Sequence, residues 1–279
     1  MRIAVCGAQG QLGAVLVERW RGHHEVLAWD RRALDLTDGE AVRRLVAQTR
    51  PDALVNAAGY NAVDAAETAP VAALEANVCA VRHLARAAQD IGATLVQYSS
   101  DFVFDGEATA PMEEAHPPHP RSVYAMSKLL GEWFAMDAPR SYVLRVESLF
   151  GQAASGPSKG TLAGLVSGIR AGQPVRVFVD RVVSPTYVHD AADATLWLLE
   201  HQSPAGLYHC VNSGHATWAE VAEEIARLLG VSAELHPVRT ADVVLPAARP
   251  RYCALSNEKL RAVGVDMPSW QDALRRWLS

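Results

Sequence analysis

Tyr124 and Lys128 stand four residues apart in Tyr124-Ala125-Met126-Ser127-Lys128, and the pattern continuing through Leu129, Leu130, Trp133 and Phe134 predicts a helix. Residues at that spacing share one helix face, so a phenol and an ammonium point the same way. A free phenol titrates near ~10, and a neighbouring positive charge lowers that value by stabilising the phenolate. Such a tyrosine can give its proton to a carbonyl oxygen as hydride reaches the carbon, and then be reprotonated. A second candidate lies upstream, where Tyr98-Ser99-Ser100-Asp101-Phe102-Val103-Phe104-Asp105-Gly106 leaves an apolar run. A hydroxyl at that edge would polarise a ketone. Ser100 is the candidate and Ser99 its competitor, against the plainer reading of serine as a turn former. Tyr-x-x-x-Lys alone occurs often by chance, so its meaning depends on the elements around it.

The first of those elements is a glycine loop. Gly7-Ala8-Gln9-Gly10-Gln11-Leu12-Gly13 follows an apolar run at Arg2–Cys6 and opens the amphipathic segment Gln11–Trp20. Glycines between a strand and a helix permit a tight turn and a close backbone approach to a pyrophosphate, whose charge the helix N-terminus favours. The spacing is G-x-x-G-x-x-G rather than the commoner G-x-G-x-x-G. Asp30 ends the second strand-like run, where a carboxylate accepts hydrogen bonds from the ribose 2′-hydroxyl of NAD. Arg31 and Arg32 follow and could instead hold the 2′-phosphate of NADP, which tilts the cofactor choice slightly to NADP and leaves NAD open. Asp35 and Leu36 could flank the adenine, whereas Asp38 fits better as a helix cap.

Strand-like runs at Arg2–Cys6, Glu25–Trp29, Ala53–Asn56, Thr94–Ser99 and Ser141–Val146 are short and nearly continuously apolar, as strands buried on both faces are. Helical patterns alternate with them, including a long one from Val71 to Ile91 ending at Gly92. This alternation predicts an α/β fold, a doubly wound parallel sheet of the Rossmann type. After Gly151 the pattern loosens. Gln152–Gly160 reads as a loop, followed by a helix at Thr161–Ala171, strands at Val175–Val179 and Gly206–Val211, and helices at His189–Glu200, Thr217–Leu229 and Gln271–Leu278. Residues 1–151 with about 184–201 form the expected dinucleotide-binding domain. Residues 152–183 and 202–279 form the expected smaller, C-terminal substrate-binding lobe.

Composition narrows the function classes. With 49% hydrophobic and 20% charged residues the chain has the balance of a globular protein. A net charge of −5 gives no basic face for nucleic acid. No secretory signal pattern precedes the first strand, and no apolar run is long enough to span a membrane, so the expected compartment is the cytoplasm. The four cysteines, Cys6, Cys79, Cys210 and Cys253, lack metal or redox spacing and read as buried reduced thiols. No ligand spacing suggests a catalytic metal.

Taken in order, the motifs resemble the dTDP-4-dehydrorhamnose reductase family within the extended short-chain dehydrogenase/reductases. The resemblance is carried by Gly7–Gly13, Arg50-Pro51-Asp52, Val55-Asn56-Ala57-Ala58, Val63-Asp64 with Glu67, Tyr98–Gly106, Tyr124 with Lys128-Leu129 and Gly131-Glu132, Ser184-Pro185-Thr186 and Gly206-Leu207-Tyr208-His209. It implies NAD(P)H-dependent reduction of a 4-keto group on a nucleotide-linked deoxysugar. Tyr124 would be the proton donor, Lys128 would hold the nicotinamide ribose, and Ser100 would bind the ketone. Asn56, Ala57, Ala58, Tyr98 and Ser99 would pass beside the cofactor, with Asn77 supporting the site from the long helix. Asp101, Val103, Phe104 and Ser148 join the expected substrate side.

Departures fall on that side. Ser148, in Arg145-Val146-Glu147-Ser148-Leu149-Phe150-Gly151, stands where the family usually has a sugar-contacting tryptophan. Asp180-Arg181-Val182-Val183 breaks the usual Gln- and Gly-containing version. Arg145, Glu147, Arg181 and His189 are further substrate-side candidates, each with an ion pair or cap as the alternative. Two other readings compete: a sugar-nucleotide epimerase or dehydratase, and a non-catalytic NADP-binding regulatory subunit of the same fold. No glutamate accompanies Asp101, which speaks against dehydration. A homodimer is possible.

Overall fold

The computed structural model describes residues 1–154, 156 and 159–279. The expected loop Gln152–Gly160 includes 155, 157 and 158, which lie outside the described residues. In chain order the strands are β1 (Arg2–Cys6), β2 (Glu25–Trp29), β3 (Ala53–Asn56), β4 (Thr94–Ser100), β5 (Ser141–Val146), β6 (Leu149–Phe150), β7 (Val175–Phe178), β8 (Val182–Val183), β9 (Thr186–Tyr187), β10 (Gly206–His209), β11 (Ala216–Thr217) and β12 (Leu235–Val238). The α-helices are α1 (Gln11–Trp20), α2 (Gly39–Thr49), α3 (Val63–Thr68), α4 (Pro70–Leu74), α5 (Ala80–Ile91), α6 (Val123–Met136), α7 (Thr161–Arg170), α8 (Val188–Glu200), α9 (Trp218–Leu229), α10 (Glu258–Ala262) and α11 (Trp270–Leu278).

Six parallel strands form the main sheet in the order β10-β5-β4-β3-β1-β2. Successive side chains go to opposite faces. Ile3, Val5 and Val55 pack with α1 and α8 on one side, while Ala4, Cys6 and Leu54 pack with α2 and α5 on the other. Burial on both faces explains the unbroken apolar runs. The chain moves outward from β1 to β2 and then returns to place β3 on β1's other flank, so the sheet reverses direction there. Ligands in open α/β sheets bind beyond the carboxyl ends of the strands at such a reversal.

Two local expectations are met at helix ends. Asp38 caps α2, accepting from the Glu40 and Ala41 amides at 3.0 Å. Gly92 ends α5 in the left-handed region at φ 73°. The long helix, however, is not uniform: between α4 and α5 the residues Glu75–Cys79 form a π turn that buries Asn77 and Val78. Such wide turns concentrate at functional sites.

A separate core joins Leu162, Val166 and Ile169 of α7, Val177 of β7, Val221 and Ile225 of α9 and Leu274 of α11. Residues 202–279 contribute to both parts: β10 is the edge strand of the main sheet, and Leu260, Val265 and Met267 pack in its core. Among the described residues no helix is long and apolar enough to cross a membrane.

Candidate active site

The glycine loop is as tight as its composition suggests. Gly7 turns at φ 75°, and a Cβ there would lie 2.7 Å from the Ala58 amide nitrogen. A Cβ on Gly13 would lie 2.1 Å from the Gly7 carbonyl oxygen. β1 and β3 therefore meet backbone to backbone at the switch point. Gly10 precedes α1 with no side-chain cap and no acid in the first turn, leaving the helix N–H groups free for an anion. Leu12 and Gly13 are buried, while Gln11 reaches across to the Gly151 carbonyl at 2.8 Å.

Beside the loop, a cavity of about 330 Å³ is lined by Gly7, Asp30, Arg31, Asp35, Leu36 and Ala58, among others. Asp30 organises its rim, accepting from the Arg32 and Ala33 amides at 2.9 Å and from Gln9 Nε2 at 2.5 Å. The Asp35 carboxyl is held below its usual range by hydrogen bonds from Thr37, with a smaller pull from Arg31. Arg32 is exposed and does not line the cavity. Asn56 folds its side chain back, accepting from the Ala58 amide at 3.1 Å and donating to Gln97 at 2.7 Å, which braces the Ala57-Ala58 turn.

Ala58 also borders a larger cleft of about 590 Å³, where Ser100, Tyr124, Lys128 and Ser148 come together. Ser122 caps α6, accepting from the Ala125 amide at 3.2 Å, so Tyr124 sits in the first turn and Lys128 one turn on. Lys128 Nζ donates to the Tyr98 carbonyl at 2.7 Å. Asn77, from the π turn, accepts from the Tyr60 amide and donates to the Tyr60 carbonyl and to Ser127 Oγ, tying three segments into the floor of the site. The expected depression of the phenol by Lys128 is not what the fold produces. Burial pushes Tyr124 up to about 12, against a smaller pull from hydrogen bonding with Ser100. Burial likewise lowers Lys128 to about 8, opposed by the charge of Glu132. Desolvation is the largest cause at both groups, and neither shift carries a contribution from the other.

Ser99 and Tyr98 also reach the cleft wall, but their side-chain hydroxyls are occupied. Ser99 Oγ donates to Glu132 at 2.5 Å, and the Tyr98 hydroxyl meets Thr195 at 2.5 Å. Ser100 Oγ also has a partner, Asp101 Oδ1 at 2.9 Å, but it is the serine that hydrogen-bonds with Tyr124. Val103 and Phe104 are corrections to the expected substrate side. A short 3₁₀ turn at Asp101–Val103, in which the Phe102 amide donates to Ser100 Oγ at 3.2 Å, swings both inward. They pack with Leu129, Val211 and Leu255, and Phe102 takes the cleft position instead. Arg145 is also internal, forming a two-bond pair with Glu132 at 2.7 and 2.8 Å. His189 stacks near Tyr187 and bonds the Gln152 carbonyl, outside the cleft.

Arg181 does face the cleft, and two residues with no sequence signal join it. Arg176 comes from β7, and Arg249 from the Pro-rich loop after β12. Arg249 is anchored by Asp64 at 2.9 Å, a residue of the Val63-Asp64 motif.

The RmlD substrate binding domain family matches residues 1–279. A dTDP-4-dehydrorhamnose reductase of Streptomyces griseus is 38% identical over 98% of this chain and 91% of its own length. The chain belongs to the dTDP-4-dehydrorhamnose reductase family. A second relative, a probable dTDP-4,6-dihydroxy-2-methyloxan-3-one 4-ketoreductase of Streptomyces antibioticus, is 36% identical over 99% of this chain and 94% of its own. The crystal structure of dTDP-4-dehydrorhamnose reductase from Bacillus anthracis str. Ames in complex with NADP superposes with a TM-score of 0.93 at 31% identity, covering 99% of this chain and 98% of that one.

Against that family the odd position is Ser148. It lines the cleft with a left-handed backbone, φ 44°. Few residues other than glycine adopt this conformation, and where they do it often marks a site under constraint.

Proposed function

We propose that this chain is an NADPH-dependent reductase of the 4-keto group on a nucleotide-linked deoxysugar. The observation that carries the reading is the convergence of Ser100, Tyr124 and Lys128 in a cleft that meets the dinucleotide cradle at Ala58. The cradle fits the cofactor: uncapped N–H groups at α1, glycines whose Cβ would fill the loop, and Arg31 beside an adenosine-sized cavity. Bound NADPH supplies the hydride. Tyr124 then supplies the proton, and its burial serves that role, because a phenol near 12 keeps its proton throughout the physiological range. Ser100 polarises the ketone when its hydroxyl turns from Asp101 to the substrate. Lys128, fixed by the Tyr98 carbonyl, presents its remaining N–H donors to the cofactor side of the cleft.

Arg176, Arg181 and Arg249 line the cleft and suit a nucleoside diphosphate, whose oxygens a guanidinium can engage in pairs. The division into a dinucleotide domain and a substrate lobe follows the separate core of α7, β7, α9 and α11. Free thiols, buried at Cys6, Cys210 and Cys253 but exposed at Cys79 against expectation, support a reducing compartment such as the cytoplasm. Exposed Met126, Trp133 and Met136 on α6 support a homodimer through that helix.

The test is NADPH oxidation with a panel of nucleoside diphosphate 4-ketosugars. Stoichiometric oxidation is expected with at least one of them. An epimerase would return its cofactor unchanged. Tight NADPH binding without oxidation by any ketosugar would instead indicate a regulatory subunit.

A further inference from the structure

The expectation that no glutamate accompanies Asp101 is corrected by the fold, because the sheet brings Glu147 beside it. β4 and β5 pair in parallel with Ser100 opposite Val146, so the next residue on each strand leaves the sheet beside the other. Both carboxyl groups are buried, at 3% and 2% exposure. One acceptor atom from each, with the Cys253 thiol, lies within 4.8 Å of the others. Ser100 Oγ donates its single proton to Asp101 Oδ1 at 2.9 Å. Glu147 Oε2 accepts from the Ser184 amide at 2.5 Å, while its Oε1 has no protein partner despite its burial.

An ionised carboxylate oxygen without a donor is costly in such a place. Two carboxylates this close do not both ionise readily. Burial and the charge of Asp101 hold Glu147 well above the usual carboxylate range, and burial raises Asp101 to about 6. The charged and titratable neighbours relieve the conflict only in part: hydrogen bonds from Cys253 and Ser100 favour the ionised form of Asp101. Arg181 pulls both carboxyls down but brings one positive charge for two negative ones. The Cys253 thiol is pushed up and stays neutral, and Tyr252 and Tyr124 are both shifted up beside the pair.

We propose that Glu147 and Asp101 hold one proton between them, and that Ser100 passes it to Tyr124 after each reduction. The proposal rests on the reductase reading, in which Tyr124 loses a proton every turnover. In the step Ser100 turns its O–H from Asp101 to the Tyr124 phenolate and gives up that proton, takes one from Asp101, and Asp101 takes one from Glu147, so that overall the Glu147 Oε1–H bond breaks and a Tyr124 Oη–H bond forms. Asp101 and Ser100 each gain and lose one proton, and no electrons move. Glu147 then recovers a proton from water. The gap between the carboxyls is one that a rotamer change or a single water spans. Glu147 does not line the cleft, so it is a positioning and proton-storing residue rather than one that touches substrate.

The experiment compares kcat between about pH 6 and about pH 9 in wild type and Glu147→Gln, with NADPH affinity and Tm as controls. Glutamine cannot store the proton, and Asp101 alone beside Arg181 ionises at lower pH. The alkaline limb of kcat should therefore move to lower pH, with the high-to-low-pH ratio falling about tenfold. Glu147→Asp should restore part of the limb. Infrared spectroscopy of the wild type near pH ~7 should show a protonated carboxyl band that Glu147→Gln loses. An unchanged alkaline limb overturns the transfer, and a missing band overturns the shared proton. A wild type that shows the band but reduces no ketosugar would sink the reductase reading instead. If Glu147→Gln does not fold, Asp101→Asn should shift the limb in the same direction.

Discussion

The two walls of the cleft are built by different means. On the cofactor side, seven consecutive residues, Gly7–Gly13, define the surface through backbone contacts, and a Cβ at Gly13 would come within 2.1 Å of a carbonyl oxygen. On the sugar side, Ser148, Arg176, Arg181 and Arg249 arrive from four separate segments and act through long or missing side chains. A backbone-built surface tolerates little change at its glycines. One built from side chains can be re-specified residue by residue, so substrate preference can change on the sugar wall while the cofactor wall stays fixed.

The largest expected effect is at the junction of the two walls. Tyr124→Phe removes the proton donor from the buried face of α6 and should lower ketone reduction by ~10²–10⁴-fold. NADPH affinity should stay close to wild type. Parallel kinetics and cofactor titration check this, and a loss below about tenfold would move the donor elsewhere. Next comes the cofactor wall itself. Gly13→Ala cannot be accommodated without moving the Gly7 carbonyl, so NADPH affinity should fall by about tenfold or more, roughly 1.4 kcal/mol or above. Calorimetric titration reads it. Gly164→Ala in α7, where a Cβ meets nothing within 4 Å, should bind NADPH normally and gain ~0.5–1 kcal/mol in stability.

The sugar wall should respond by changing preference rather than by losing activity. A tryptophan side chain covers roughly 150–250 Å², so Ser148→Trp should raise kcat/KM for dTDP-4-dehydrorhamnose and depress it for another ketosugar. Wild-type turnover of dTDP-4-dehydrorhamnose at ~10⁴ M⁻¹s⁻¹ or more would contradict this and align the two walls. The smallest effect concerns cofactor choice. Arg31 lines the adenosine cavity and Arg32 does not, so Arg31→Ala should reduce the preference for NADPH over NADH by a few-fold, ~0.5–1 kcal/mol. Arg32→Ala should leave the ratio of dissociation constants unchanged. Equal effects from the two would assign the preference to general charge instead.

What could be read from the sequence follows the same line. β1, β2, β3 and β5 have the bounds expected of short apolar runs, and the glycine loop, the Asp38 cap and the Tyr124–Lys128 spacing are all local patterns. Features that depend on strand order were not legible. Asp101 meets Glu147 only because β4 lies beside β5 in register, and nothing in the intervening chain announces it. Arg249 reaches the cleft because Asp64, far away in sequence, holds it there. Val103 and Phe104 look like an extension of the serine motif, yet one 3₁₀ turn sends them into the core. The sign of the Tyr124 shift was illegible for another reason. Spacing reveals the neighbouring ammonium, whereas burial is a property of the whole fold.

The π turn at Glu75–Cys79 gives the long helix one residue more than a regular α-helix would spend on that stretch. Deleting a residue there would restore an unbroken α-helix and improve its hydrogen bonding. Each residue turns an α-helix by about 100°, so the same deletion would rotate Asn77 away from Tyr60 and Ser127, which it now ties together. Helix regularity and an intact floor under Tyr124 and Lys128 are thus mutually exclusive in this chain. A lineage that lost the residue would trade helix regularity for the buried and part-buried hydrogen bonds that Asn77 makes to Tyr60 and Ser127.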